Sequence, residues 1–366
     1  MLTKPISRRS LLGLSAAGAA SLMLGGCSET RSDGKTEVEF VSYKREAVSI
    51  FEALMAEFNE SNDHIYLNFT SPNDAVTIMK TRFVREDYPD VVAIGGDASY
   101  ADFVDSNILA DMTEYPGMAQ VQQAYQDIMK SVTYVPMDGI YGVPYIANAA
   151  GMLYNKDMFA EKGWDIPETW DEFIALCEEI KAEGEVLPLY LGFLDTWTIL
   201  SPWNSILVDL VPQDHIRKVN AGEAKFADYY REPAEKLYQL LQYGEEGPFA
   251  YSYEDACTAF ARGQSAMFPC GSFAVPHILS ANPDMNVGLF AMPAADDPED
   301  RLVVSGVDLC WNMTVANEGH REQVYEVIDF LNEPDNLQTY CDDQKAIPCI
   351  EGDFTLDPLF DDIQEF

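Results

Sequence analysis

The chain has 366 residues, 47% of them hydrophobic and 12% aromatic, which is enough for two domains with sizeable cores and argues against a disordered chain. Its 61 acidic against 23 basic side chains leave a formal charge of -38. That balance argues against binding to nucleic-acid phosphates and against docking on anionic lipid through a basic patch, and it reads as a source of solubility.

In chain order, Ser7 to Cys27 (SRRSLLGLSAAGAASLMLGGC) joins a basic start to an apolar run, Leu11 to Leu24, that is short for a bilayer span. The Arg8-Arg9 pair resembles a twin-arginine export signal, and Leu24-Gly25-Gly26-Cys27 resembles the lipobox of bacterial lipoproteins. That resemblance implies removal of residues 1–26 as a signal peptide and a lipid on the Cys27 sulfur. Residues 27–36 then hold the lipidated Cys27 and a polar, flexible tether. No other apolar run reaches transmembrane length.

The β-branched and aromatic run 37–42 predicts a first strand, and Val48, Phe51, Met55 and Phe58 share one face of a helix over 47–59. A strand over 64–69, a helix over 74–85 and a buried strand over 91–94 follow, the last ending in Gly95-Gly96. Strand, helix, strand, helix, strand indicates an α/β lobe with parallel pairing. Ligands in such sheets sit beyond the carboxyl ends of the strands, here Tyr43, Lys44 and the loop 96–100. Farther on, 167–184 is a well-punctuated helix: Thr169 and Glu172 form a capping box, Trp170, Phe173, Ile174, Cys177 and Ile180 the apolar face, and Gly184 the stop. Helices are predicted over 234–243, 253–262 and 323–331, with strands over 287–290 and around Ser305-Gly306.

Catalytic signatures are missing. There is no phosphate-binding glycine loop, no H-E-x-x-H and no G-x-S-x-G, and His64, His215, His277 and His320 are scattered. No cofactor or metal is expected. Cys177, Cys257, Cys270, Cys310, Cys341 and Cys349 contain no C-x-x-C, and their pairing stays open; Cys177, on an apolar helix face, reads as a small buried hydrophobe. What is abundant is material for a carbohydrate cleft: aromatic rings for the flat C–H faces of sugars, and fixed polar groups for their hydroxyls. Leu194 to Ser205, LDTWTILSPWNS, sets Trp197 and Trp203 in a stretch broken by Pro202.

Four stretches together resemble the extracellular solute-binding proteins of ABC transporters, family 1, which includes maltose-binding protein. They are YGVPYIANAAGMLYNKDMF (141–159), IPETWDEFIALCEEIKAEG (166–184), AFARGQSAMFPCGSFAVP (259–276), and VGLFAMP followed by VSGVDLCWNMTVAN. The resemblance implies a type II periplasmic-binding-protein-like α/β fold: two α/β lobes joined by a multi-segment hinge, with a cleft between them. The N-lobe would take 36–146 plus 291–333, and the C-lobe 147–290 plus 334–366. The segment 141–159 is read as the first crossover. Family members usually continue with several helices after the Ala346-Ile347-Pro348 segment, so the end at Phe366 implies either a truncated sequence or a reduced second lobe.

By match to family loops, the expected ligand contacts are Tyr43, Asp97, Tyr145, Trp197, Trp203, Ser272, Phe273 and Asp308. The aromatics would stack, and Asp97, Ser272 and Asp308 would bond hydroxyls. The implied function is a monomeric lipoprotein, anchored outside the bacterial cell membrane, that binds a sugar or oligosaccharide and delivers it to the permease subunits of an ABC importer without catalysis. A polyamine or other small solute in the same fold, and a secreted glycoside hydrolase, are the alternatives.

Overall fold

The computed structural model describes residues 33–135 and 137–364. The signal peptide read over 1–26, the lipidation site Cys27 and the start of the tether lie outside the described residues.

Ten strands form among the described residues: β1 Thr36–Ser42, β2 Ile65–Thr70, β3 Val91–Ile94, β4 Val143–Ala150, β5 Met152–Asn155, β6 Leu187–Leu189, β7 Ser265–Phe268, β8 Val287–Phe290, β9 Val304–Met313 and β10 Ile347–Pro348. They make a six-stranded sheet ordered β10-β4-β9-β3-β1-β2 and a four-stranded sheet ordered β6-β7-β5-β8. β1 pairs in parallel with both β2 and β3, as the alternation of strands and helices predicts. β9 then inserts antiparallel between β3 and β4. Behind this sheet Trp311 is buried against Phe40, Phe51 and Tyr145, with ring centroids 5.4, 5.9 and 4.3 Å away. The second sheet has its own core around Trp170, Phe173, Met267 and Phe290.

The two sheets share one run of backbone. β4 ends in the first sheet at Ala150; one residue later β5 lies inside the second. Gly151 makes the transfer possible, because a Cβ there would lie 2.4 Å from the Phe290 carbonyl oxygen. The uncharged sequence around it follows from burial: β4 and β5 are covered along almost their whole length.

The C-terminal residues depart from expectation. The sequence reading assigned 334–366 to the second lobe. Helix Pro334–Gln344 instead puts Leu337, Tyr340 and Cys341, spaced three and four apart, into the first core, and β10 pairs with Ile146 and Ala147 of β4. Only the last turn, Pro358–Ile363, crosses over, burying Leu359, Phe360 and Ile363 in the second lobe. Two proline signals also read differently in three dimensions. Pro202 does not break the 194–205 stretch; it sits in the first turn of helix Leu200–Leu210, where a backbone N–H has no intrahelical partner anyway. The helix expected over 234–243 begins at Phe226 and carries Pro233 inside it. The described helix Trp170–Glu183 is capped as predicted at Thr169, which accepts from the Glu172 N–H, but the Glu172 carboxylate returns to the N–H of Glu168. The six described cysteines are free thiols and buried.

The connection from β8 to β9 is pinned by one side chain. Asp209 accepts the N–H groups of Ala294 and Leu302, each at 2.9 Å. Burial pushes its carboxyl up to about 6, against the two N–H bonds and Arg301, which lower it. Because the folded value lies above the unfolded one, this group's contribution to stability is complete below the unfolded value of 3.8 and is lost as pH rises through about 6. Asp209→Asn is therefore expected to flatten the fall in melting temperature between those two pH values, measured as the difference from the parent chain in a pH series.

Candidate functional site

The site begins where parallel neighbours β1 and β3 end side by side. Tyr43 follows β1, and its N–H donates to the Ala93 carbonyl; Gly95, Gly96 and Asp97 follow β3. Asp97 caps the helix Ala98–Asp105 by accepting from the Ser99 N–H at 2.7 Å. A Cβ on Gly95 would lie 3.2 Å from the Tyr43 hydroxyl, 3.3 Å from the Asp308 carbonyl and 3.6 Å from Asp97 Oδ2, so these three residues surround one glycine.

Asp308 reaches this point through an irregularity in the sheet. Along β4 and β9, Pro144 pairs with Cys310, Ile146 with Leu309, and Ala147 with Val307. Tyr145 is thus an extra residue on β4, and Asp308 an extra residue on β9. Such bulges break the alternation of faces and re-aim side chains. Asp308 leaves the ladder: its carbonyl accepts from the Tyr43 hydroxyl at 2.7 Å, and its carboxylate accepts from Lys44 Nζ at 2.6 Å and Asn148 Nδ2 at 3.1 Å. Lys44 also meets Glu46 at 2.8 Å. Burial would lower the Lys44 ammonium, but Asp308 and Glu46 outweigh it and hold it above its ordinary value. Burial likewise works to raise Glu46; the charge and hydrogen bond of Lys44 reverse the direction, with a smaller push from His277. Asp97 keeps accessible surface; partial desolvation, with the nearby Asp308 charge, raises its carboxyl against the N–H bonds of Ser99 and Tyr100.

Across from these carboxylates the second lobe presents rings. Trp197 lies 4.9 Å from Tyr253 and 6.0 Å from Phe273, and Tyr253 meets His277 edge-on at 5.4 Å. Asp195 sets this group, accepting from the Tyr253 N–H at 2.8 Å while its carbonyl starts the turn that carries Trp197. Trp197 remains 46% exposed. His277 and Tyr253 both lie within electrostatic reach of Glu46. An open groove of about 520 Å³ lined by Thr113, Pro116, Gln126 and Glu351 holds none of these groups.

Five expected residues fall into these two faces: Tyr43, Asp97 and Asp308 in the first, Trp197 and Phe273 in the second. Three do not. Tyr145 is 0% exposed, turned by its bulge into the core against Trp311 and Tyr340, and its hydroxyl has no hydrogen-bond partner there. Trp203 rides on helix Leu200–Leu210 and packs edge-on against Tyr230, 5.6 Å away, in an outer aromatic group with His215. Ser272 is buried at the crossover, where its Oγ accepts from the Ala149 N–H at 3.3 Å. Sequence reasoning did not select Glu46, Asn148, Tyr253 or His277 as contacts. Tyr253 alone carried a usable signal: the capping box of Ser252 and Asp255 places it on the first turn of a helix, where a ring is held at the rim of its lobe.

Two α/β sheets joined by a continuous run of backbone, with an acidic group on one lobe and an aromatic group on the other, fit the class of proteins that hold a solute between lobes. Residues 42–338 match the family described as Bacterial extracellular solute-binding protein, and the chain belongs to that family. It is 28% identical over 355 residues to a Multiple sugar-binding protein of Streptococcus mutans, spanning 93% of this chain and 82% of that one. In three dimensions it resembles RafE in complex with raffinose, with a TM-score of 0.78 and 25% identity, covering 90% of this chain and 86% of the other. The apo form of RafE from Streptococcus pneumoniae matches at 0.73 and 25% identity, covering 94% and 87%. The fold class is the type II periplasmic-binding-protein arrangement.

Proposed function

We propose that this chain binds a sugar or oligosaccharide between its lobes and hands it to the membrane permease of an ABC importer. One observation carries the reading: the Trp197–Tyr253–Phe273 rings of one lobe come, through Tyr253, within electrostatic reach of Glu46 on the other, and Glu46 shares Lys44 with Asp308. Rings cover the apolar faces of a pyranose, and carboxylates accept from its hydroxyls. Membership of a solute-binding family, and relatives named for binding sugars, support the same reading and make bond cleavage unnecessary. Tyr43, Asp97, Asp308, Trp197 and Phe273 are the contacts we retain. The lipobox-like sequence supports a lipid on Cys27 and attachment to the outer face of the cell membrane, with one copy of the chain acting alone.

The test is thermal stabilisation by a panel of neutral oligosaccharides, with spermidine as the competing cargo. Spermidine belongs in the panel because Glu46, Asp97 and Asp308 outnumber Lys44 in the cleft. Stabilisation by spermidine alone would assign the site to a polyamine, and release of monosaccharides during incubation would make the protein an enzyme. Within the sugar reading, Trp197→Ala is expected to weaken binding by about 2 kcal/mol, roughly 30-fold in Kd, because a central exposed tryptophan contributes much of its energy on burial by ligand. Its melting temperature should hardly move, since the ring is already half in solvent; calorimetric titration and a melt of the same sample check both.

A further inference from the structure

We propose that Lys44 is a positioning residue for ligand recognition: its buried ammonium bridges Asp308 and Glu46 and holds both carboxylates in place, so that solute affinity changes little with pH through the neutral range. The proposal rests on the reading of the cleft as a solute-binding site. Lys44 is only 4% exposed, so its ammonium is used up inside the protein and is not offered to a ligand. Its backbone is pinned too, by its N–H on Ser42 Oγ at 3.1 Å and its carbonyl under Ser71 Oγ at 3.2 Å.

It holds two carboxylates. Asp308 stands outside the β ladder, and its carboxylate is oriented by Lys44 on one oxygen and by Asn148, from the crossover strand β4, on the other. Glu46 has Lys44 as its side-chain ion-pair partner and faces the second lobe. One buried cation therefore aligns a carboxylate tied to the crossover with a carboxylate directed at the opposite lobe. The groups around the pair are mostly acidic or neutral: Tyr43, Asp97, Tyr340 and Cys349 feel the charge of Asp308, and Tyr43, Tyr253, Cys257 and Tyr340 feel that of Glu46, which itself feels His277. Without Lys44, burial would favour a protonated Glu46, which is a poorer acceptor for ligand hydroxyls.

The full chain, Lys44→Met and Lys44→Arg would be titrated calorimetrically with raffinose, maltotriose and spermidine between about pH 5 and pH 8, using whichever probe the parent binds. The parent Kd is expected to vary less than about 3-fold, and that of Lys44→Met to be about 10-fold weaker at the upper pH and about 5-fold weaker again at the lower. Lys44→Arg keeps the charge but not the point geometry, so it should show a smaller loss and a flat profile. A Lys44→Met protein that binds like the parent, or loses affinity equally at every pH, overturns the proposal; the second result would mark a merely structural lysine. If Lys44→Met does not fold, Lys44→Arg decides alone: an unchanged Kd or a steep pH profile overturns it. A parent chain that binds none of the three probes defeats the solute-binding reading and this proposal together, whereas a bound probe with an unaffected Lys44→Met defeats this proposal only.

Discussion

Asp308→Ala is expected to cost about 3 kcal/mol of stability and to weaken sugar binding by about 10-fold to 100-fold. Two separate losses add. The first is internal: Lys44 is buried, and removing one partner of a buried ion pair costs about 3–5 kcal/mol because the remaining charge is stranded. Glu46 stays beside Lys44 at 2.8 Å, so the lower end of that range applies. The Asn148 amide also loses its acceptor. The second loss, on the proposed reading of the site, is a charged acceptor for the ligand. The loop itself should survive, because Tyr43 bonds the main-chain carbonyl of residue 308 and not its side chain. Asp308→Asn retains an oxygen for one of the two donors and should fall between the parent and Asp308→Ala. Urea denaturation and calorimetric titration read the two losses independently. A stability change well under 1 kcal/mol would mean that Lys44 finds solvent readily, contrary to its burial.

Trp311→Ala is expected to cost about 3–5 kcal/mol, the range for truncating a fully buried large aromatic. The indole lies under the first sheet between Phe40, Phe51 and Tyr145 and donates its Nε1–H to Asn332 at 3.3 Å, so the vacated space is walled by rigid rings. The damage should stay in one lobe, since the second has its own core. A clean assay exists because the other four tryptophans, Trp164, Trp170, Trp197 and Trp203, all belong to the second lobe. In Trp311→Ala the far-UV circular dichroism should begin to fall at lower urea than the tryptophan fluorescence. Coincident transitions would show that the lobes unfold as one unit. Ligand affinity should drop as well, because β9 carries both Trp311 and Asp308.

How much of this was legible in the sequence depends on the distance over which each feature is decided. Helix Trp170–Glu183, the helix from Val48 and strand β3 could be read directly, since apolar spacing, a cap and a terminal glycine are local properties. The crossover at Gly151 was readable through family resemblance, and the close approach of Phe290 supplies the reason a glycine stands there. Tyr145 was expected at the cleft by match to family loops; an extra residue on each of two paired strands turns it inward and takes Asp308 out of the ladder. Trp203 was misplaced because Pro202 looked like a break, yet fits the first turn of a helix.

The sequence by itself determined the two-lobed α/β character of this protein, its acidic balance, the run of backbone that passes from one lobe to the other, and the rings at Trp197 and Phe273. The acidic balance follows from composition and the α/β alternation from patterns no longer than one element, whereas the two lobes, the crossover and the rings follow from the resemblance to a known family. Only the tertiary structure decided that Lys44 is consumed by Glu46 and Asp308, that Tyr253 and His277 complete the aromatic face, and that residues 334–348 stay with the first lobe while 358–363 cross to the second. Register and burial of charge depend on what stands opposite a residue, and partners separated by hundreds of positions leave no mark on their own neighbours in the chain.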